Sequence, residues 1–275
     1  MFKALIKIIK AILSMFANNG NVIEGDGGDV ISVGETFEPE PDDNYDYEPV
    51  TNENNNNNHM NDYSKIMVHI DNGHAASTPG KRSPYSGFGT EPKLDLYEYK
   101  TNRIIAHKIQ DRLEKIGFVV DMVVPEVDKD IQLTQRYSRA NVMKGKHPEY
   151  KHIFISIHSN AFGDGRTWNS AEGWEAYTTK GQNNSDKLAD CLYSAAESIL
   201  IPMGKKIRTQ MSDGDKDYEE NFTVIWGANM PAVLTESFFY TNINDAKFLL
   251  SEEGQNAIAD VHVKGIMDFC DKYYL

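Results

Sequence analysis

"IMVHIDNGHA", residues 66–75, begins as a buried β-strand and ends in Asp71, Gly73 and His74. An apolar strand that runs straight into metal-capable side chains marks a place where a sheet meets a polar opening. The pattern recurs twice: "FISIHSN" (154–160) delivers His158, and "PAVLTES" (231–237) delivers Glu236. "KIMVHI", "FVVDMVV", "HIFISI", "WEAY" and "PAVLTE" all read as strands, being short, β-branched or aromatic, and mostly bounded by Gly, Pro or charge. Residues 101–116 place Ile104, Ile105, Ile109, Leu113 and Ile116 on one helical face, and Gly117 follows as a C-cap. Residues 185–200 and 254–273 read as two more helices. Strands alternating with helices imply an α/β fold, an open sheet covered on both faces. Ligands bind such sheets at the carboxyl ends of the strands, so His74, His158 and Glu236 are expected to converge.

Two imidazoles and a carboxylate at such a place suggest zinc, which in catalytic sites takes about three protein ligands and leaves a position for water. "LDLYEYKTN" (94–102) supplies a further ligand, Glu98, just before the amphipathic helix, with Tyr97 and Tyr99 as packing groups. Each residue also has a plainer reading. A histidine after a strand is often structural, Glu98 suits a helix N-terminus through the dipole, and Glu236 suits the cap of a following helix. The agreement of three strand ends favours the site.

The chain has 275 residues and a net charge of −13, unevenly spread. Residues 1–17 carry three lysines and no acid, whereas 18–62 carry twelve acids and no Lys or Arg. The remainder, 63–275, is left near −4 and has no basic stripe, which argues against nucleic acid as a partner. Residues 18–62, with "EPEPDDNYDYEP" and "NENNNNNH", offer little to bury and read as a disordered linker. In "MFKALIKIIKAILSMFA" (1–17), a helix would gather Lys3, Lys7, Lys10 and Ser14 into one stripe beside a wide apolar face. Three readings remain for it: a membrane-surface anchor, an export segment, or a helix packed on the protein. The last segment, 63–275, is expected to be a single catalytic domain.

Several other features carry less. Cys191 and Cys270 fall in helices and make no disulfide framework. "SDGDKDYEE" (212–220) alternates acids like a calcium loop but lacks the turn Gly and terminal Glu of EF-hand spacing. Trp168, Trp174 and Trp226 have the chemistry to stack on sugar, Trp174 being better placed for packing in a strand. His69 reads as a core residue, and His59, His107, His147, His152 and His262 fall on the linker, helix surfaces or loops.

The ordered set "DNGH", "EYKTN", "RYSRAN", "SIHSNA" and "PAVLTESFFYTN" resembles the zinc-dependent N-acetylmuramoyl-L-alanine amidases of the type-3 family, over about residues 65–273. The resemblance implies one zinc per chain, held by His74, Glu98 and His158, with Glu236 as the catalytic carboxylate. It implies a single domain on a twisted mixed sheet of about six strands. It also implies a peptidoglycan substrate, cut between the lactyl group of muramic acid and L-alanine. Asp71 and Asn160 are expected near the imidazoles, as acceptors that fix their tautomers or as groups that meet the substrate. The family's usual "DPGHGG" is "DNGHAA" here, a departure at a turn and not at a ligand; the stretch 77–95 is longer than in compact members. Two other functions stay open on the residues alone, a silent wall-binding module and a zinc peptidase of another substrate. The expected place of action is the cell envelope, or the host wall for a phage-encoded enzyme.

If residues 1–17 are a surface anchor, deleting 1–62 leaves hydrolysis of soluble peptidoglycan fragments near normal and abolishes co-sedimentation with anionic vesicles. Intact protein that ignores such vesicles would remove the anchor reading.

Overall fold

The computed structural model describes residues 61–84, 94–211 and 214–275. The helix read at 1–17, nearly all of the linker at 18–62 and part of the 77–95 loop lie outside them. A short 3₁₀ turn (Tyr63–Lys65) opens the domain, capped by Asp62. Then come β1 (Ile66–Asp71), α1 (Glu98–Ile116), β2 (Val119–Met122), α2 (Leu133–Lys146), β3 (Lys151–Asn160) and β4 (Trp174–Thr178). They are followed by α3 (Asn184–Leu200), β5 (Tyr218–Glu219), α4 (Thr223–Trp226), β6 (Ala232–Phe239), α5 (Ile243–Leu250) and α6 (Glu252–Tyr273).

The strands form one six-stranded sheet in the order β2-β1-β3-β6-β4-β5. β2, β1, β3 and β6 run parallel, while β4 lies antiparallel to β6 and carries β5 parallel to itself. The sheet is therefore mixed, as expected.

Side-chain alternation, with its period of two, sorts the strands between two cores. Ile66, Val68 and Ile70 of β1, Ile153, Ile155 and Ile157 of β3, and Val233 of β6 enter the larger core. That core is closed by α1, α3 and α6, with α6 packed against both of the others. Phe154, Ala232 and Leu234 point the other way, into a smaller core shared with Ala140 of α2 and Val224 and Ile225 of α4. His158 is in step with Phe154 along β3, and Glu236 with Ala232 and Leu234 along β6. Both therefore stand on the face of the smaller core, at the carboxyl ends of their strands.

The five strands and three helices read from sequence are all present. Gly117 ends α1 in the left-handed conformation (φ 110°), donating its N–H to Leu113 and Glu114 carbonyls as a C-cap should. Sequence reading placed the start of α1 too late, since Glu98 is its first helical residue. It also missed α2, α4, α5 and β5. In α2 only Arg136 and Ala140 are buried, so no apolar stripe announces it. α5 has 8 residues and β5 only 2, too short for a period to show.

Two histidines read as surface or loop residues are buried. His152, the second residue of β3, joins His69, whose Nε2 is 2.9 Å from His152 Nδ1 and whose Nδ1 is 2.7 Å from Asp121 Oδ2. His69 is thus a core residue, as expected. His262 of α6 is fully buried, and its Nδ1–H donates to the Ile258 carbonyl at 2.7 Å. Its Nε2 accepts from the Thr235 hydroxyl at 2.9 Å, tying α6 to β6 beside Glu236. Burial pushes the His262 imidazole down to about 4, against the pull of its bond to Ile258.

The depressed value means that unfolded chains take up the proton first. The stabilisation by His262 is complete above about pH 6.5 and is lost as pH falls towards 4. About 2 kcal/mol should be lost between pH 7 and 5, read as a fall in denaturant midpoint, and His262→Gln should show a smaller fall over that interval.

Candidate metal and catalytic site

Three segments bring the site together. β1 runs into the turn Asn72–Gly73–His74, where His74 holds a left-handed backbone (φ 60°), an uncommon conformation for a residue with a side chain. Arg103, buried in α1, secures this turn by donating to the carbonyls of Asn72 (3.4 Å) and Glu126 (2.6 Å). The next residues are strapped down as well: Ala76 N–H donates to Val127 O at 2.8 Å, and the Thr78 hydroxyl donates to Asp130 at 2.6 Å.

α1 supplies Glu98 in its first turn, 1 % exposed. Its Oε1 accepts from the Ser159 N–H at 3.1 Å and lies 3.1 Å from His158 Nδ1. Its Oε2 is buried and hydrogen-bonded to nothing, with His74 Nε2 3.3 Å away. The His74 and His158 rings meet edge to face, their centroids 4.9 Å apart. Donor atoms of His74, Glu98 and His158 all lie within 4.8 Å of one another. This set fits zinc. Two imidazoles and a carboxylate are its usual donors, a tetrahedron of roughly 2.05 Å bonds has edges of about 3.3 Å, and the orphaned Oε2 needs a positive partner.

The electrostatics agree. Burial opposes the charge on Glu98, but the His158 and His74 imidazoles beside it outweigh that cost and hold the carboxyl well below its usual range. Burial likewise opposes charge on His158, while Glu98 beside it raises the imidazole's pKa.

Glu236 sits one strand over. It pairs in register with His158 on β3 and with Glu175 on β4, and its Oε2 is buried without a hydrogen bond. Burial pushes this carboxyl up to about 8, with Glu98 and Glu175 adding to the rise and His158 opposing it. The helix after β6 is capped by Asn242, which accepts from Asn244 and Asp245 N–H groups, so capping does not explain Glu236. A cleft of about 400 Å³ opens beside the site, lined by His74, Thr78, Asp130, Arg136 and His158 among others.

The arrangement therefore gathers His74, Glu98, His158 and Glu236. Asp71 and Asn160 lie close by but bond to neither imidazole. Asp71 is occupied by Arg136 (2.6 Å) and the Ser156 hydroxyl (2.7 Å). Asn160 accepts from Ala161 N–H at 2.7 Å and donates to Glu175 at 2.5 Å.

A family model described as N-acetylmuramoyl-L-alanine amidase matches residues 68–268. The chain belongs to that family. YqiI, an uncharacterized protein of Bacillus subtilis strain 168, is 30 % identical over 209 residues, 75 % of this chain and 84 % of YqiI. The endolysin of Bacillus phage SPP1 is 26 % identical over 205 residues, 74 % of this chain and 65 % of the endolysin. Among solved structures, the N-acetylmuramoyl-L-alanine amidase of Clostridium difficile 630 matches with a TM-score of 0.60 at 26 % identity, covering 76 % of this chain and 99 % of that one. The protein is accordingly a peptidoglycan amidase, a hydrolase of a linear amide.

Two features of the amidase escaped sequence reading. Glu175, within the strand "WEAY", is buried beside Glu236 and bound by Asn160, Tyr177 (2.9 Å) and Arg208. Strand periodicity carried that signal, because Glu175 points to the same face as Glu236. Gly73 is the other. A Cβ there would lie 2.5 Å from Cε1 and 2.7 Å from both nitrogens of His158, so the ring can occupy its place only against a glycine.

Gly73→Ala is therefore expected to displace His158 and weaken metal binding by roughly 10–100-fold, the scale of losses when ligand orientation is disturbed. Competition against a chromogenic chelator measures this, and unchanged affinity would refute the cradle.

Proposed function

We propose that the amidase hydrolyses the bond between the muramic acid lactyl group and L-alanine with one zinc held by His74, Glu98 and His158, and with Glu236 as general base. The observation that carries this reading is the convergence of donor atoms of His74, Glu98 and His158 within 4.8 Å of one another, with Glu98 Oε2 and Glu236 Oε2 both buried and without a hydrogen bond. A zinc ion bound there lowers the pKa of a water towards about 7 and polarises the scissile carbonyl.

The protein's own groups have divided tasks. Glu98, fully ionised and locked by the Ser159 N–H, supplies negative charge and orientation. His74 and His158 serve as neutral donors, one set by the αL turn and the other by the Gly73 cradle. Glu236, with its free Oε2, takes the proton from the attacking water and returns it to the leaving amine of L-alanine. Arg136 holds Asp71 and Asp130 together at the floor of the cleft and keeps its wall in place.

The wall is the place of action, as part of the cell's own remodelling or of a phage-encoded lysis system. Residues 1–17 would act as a membrane-surface anchor. Among the described residues no helix is long and apolar enough to cross a membrane.

Glu236→Gln keeps the shape of the side chain and removes the base. It should retain stoichiometric zinc while peptidoglycan release falls by roughly 10²–10⁴-fold, with muramic acid lactyl and L-alanine termini as the new ends. Loss of zinc from Glu236→Gln would make Glu236 a ligand, and retained activity would reject its role.

A further inference from the structure

A second group of acids lies away from the zinc site, where β4 ends and β5 and α3 begin. Asp186 is 2 % exposed and Asp217 1 %, and one oxygen each of Asp186, Asp215 and Asp217 lies within 4.8 Å of the other two. Their hydrogen bonds do not balance their charge. Asp186 accepts from the Asn183 N–H as part of the capping box of α3. The Thr178 hydroxyl is 2.6 Å from Asp217 Oδ2 and 3.3 Å from Asp186 Oδ1, and it has one proton to give. Asp215 Oδ2 accepts from the Gln182 amide. Asp217 Oδ1 and Asp215 Oδ1 are buried with no partner at all. Lys216, between the two aspartates, turns away to Glu197 at 2.6 Å.

We propose that Asp186, Asp215 and Asp217 bind a calcium ion that ties the strand β5 and the segment before it to the N-terminal turn of α3. Three carboxylates cannot share a buried space without protons or a cation. A hard cation satisfies all three acids at once: calcium takes oxygens at about 2.3–2.6 Å in flexible geometry, so ligands on opposite sides stand about 4.8 Å apart. Water and backbone oxygens complete its six to eight positions. The carboxyls of Asp217 and Asp186 are both raised, by burial first and then by their acidic neighbours, Asp217 to about 7. A cation relieves that repulsion. The acidic spacing of 212–220 fails as an EF-hand because its partner is not in the loop; Asp186 comes from the preceding helix.

The site is distinct in place and chemistry from the imidazole cluster, since Thr178 lies at the end of β4 remote from Glu175. The test uses the full chain with zinc bound. Calcium chloride is titrated to about 10 mM while thermal unfolding is followed. At calcium about 100 times Kd the midpoint should rise by roughly 5–10 °C. Asp217→Asn should lose that response, keep its zinc, and melt above the parent when calcium is absent because a buried charge is gone. Should Asp217→Asn fail to fold, the less buried Asp215→Asn serves with the same expectation. No shift in the parent, or an equal shift in the variant, overturns the site. Magnesium, which demands shorter bonds and near-octahedral order, should give a smaller shift, and an equal one would overturn the assignment to calcium.

Discussion

A buried carboxylate must be matched by positive charge or donors, and Glu98 is the group on which the site turns. Its side chain is pressed between the ends of β1 and β3, so the first turn of α1, the His74 turn and the bulged end of β3 are positioned relative to one another through a single residue. Ser159 N–H grips one oxygen, and the second is left without a hydrogen bond, facing His74. The strain of His74 in the left-handed region, of order 1 kcal/mol or more, is sustained by the Arg103 bonds that hold the turn from outside. Rigidity is built from the periphery inward.

The two cores divide the labour. The large one, under α1, α3 and α6, supplies most of the apolar burial. The small one, under α2 and α4, lies on the face that carries His158 and Glu236. Several buried polar groups on that face are matched by two or more partners: Asp71 by Arg136 and Ser156, Glu175 by Arg208, Asn160 and Tyr177, His69 by Asp121 and His152.

How much of this was legible in the sequence depended on periodicity. β1, β3 and β6 are largely buried and read as mostly apolar runs, so their polar ends stood out. That contrast located His74, His158 and Glu236. Glu98 was found through its neighbours, but its membership of the helix was not, because Tyr97 offers no capping side chain to announce the start. α2 was invisible for the opposite reason: its buried residues are an arginine and an alanine, and a buried arginine looks like a solvated one until its partners are known. His262 and His152 misled in the same way. A polar residue satisfied by a distant partner carries no local signature, and neither does a glycine whose neighbour is 85 residues away.

The reversal of direction between β6 and β4 has a consequence for evolution of the cleft. In an all-parallel sheet, only segments that follow strands reach the catalytic edge. Here the chain entering β4 arrives at that same edge, so the stretch 161–173 joins β3 to β4 along the edge that carries His158 and Glu236. A connecting loop of this kind can be lengthened, shortened or changed in sequence without disturbing any of the strands on which the imidazoles are placed. Substrate preference and metal binding can thus drift separately on one scaffold.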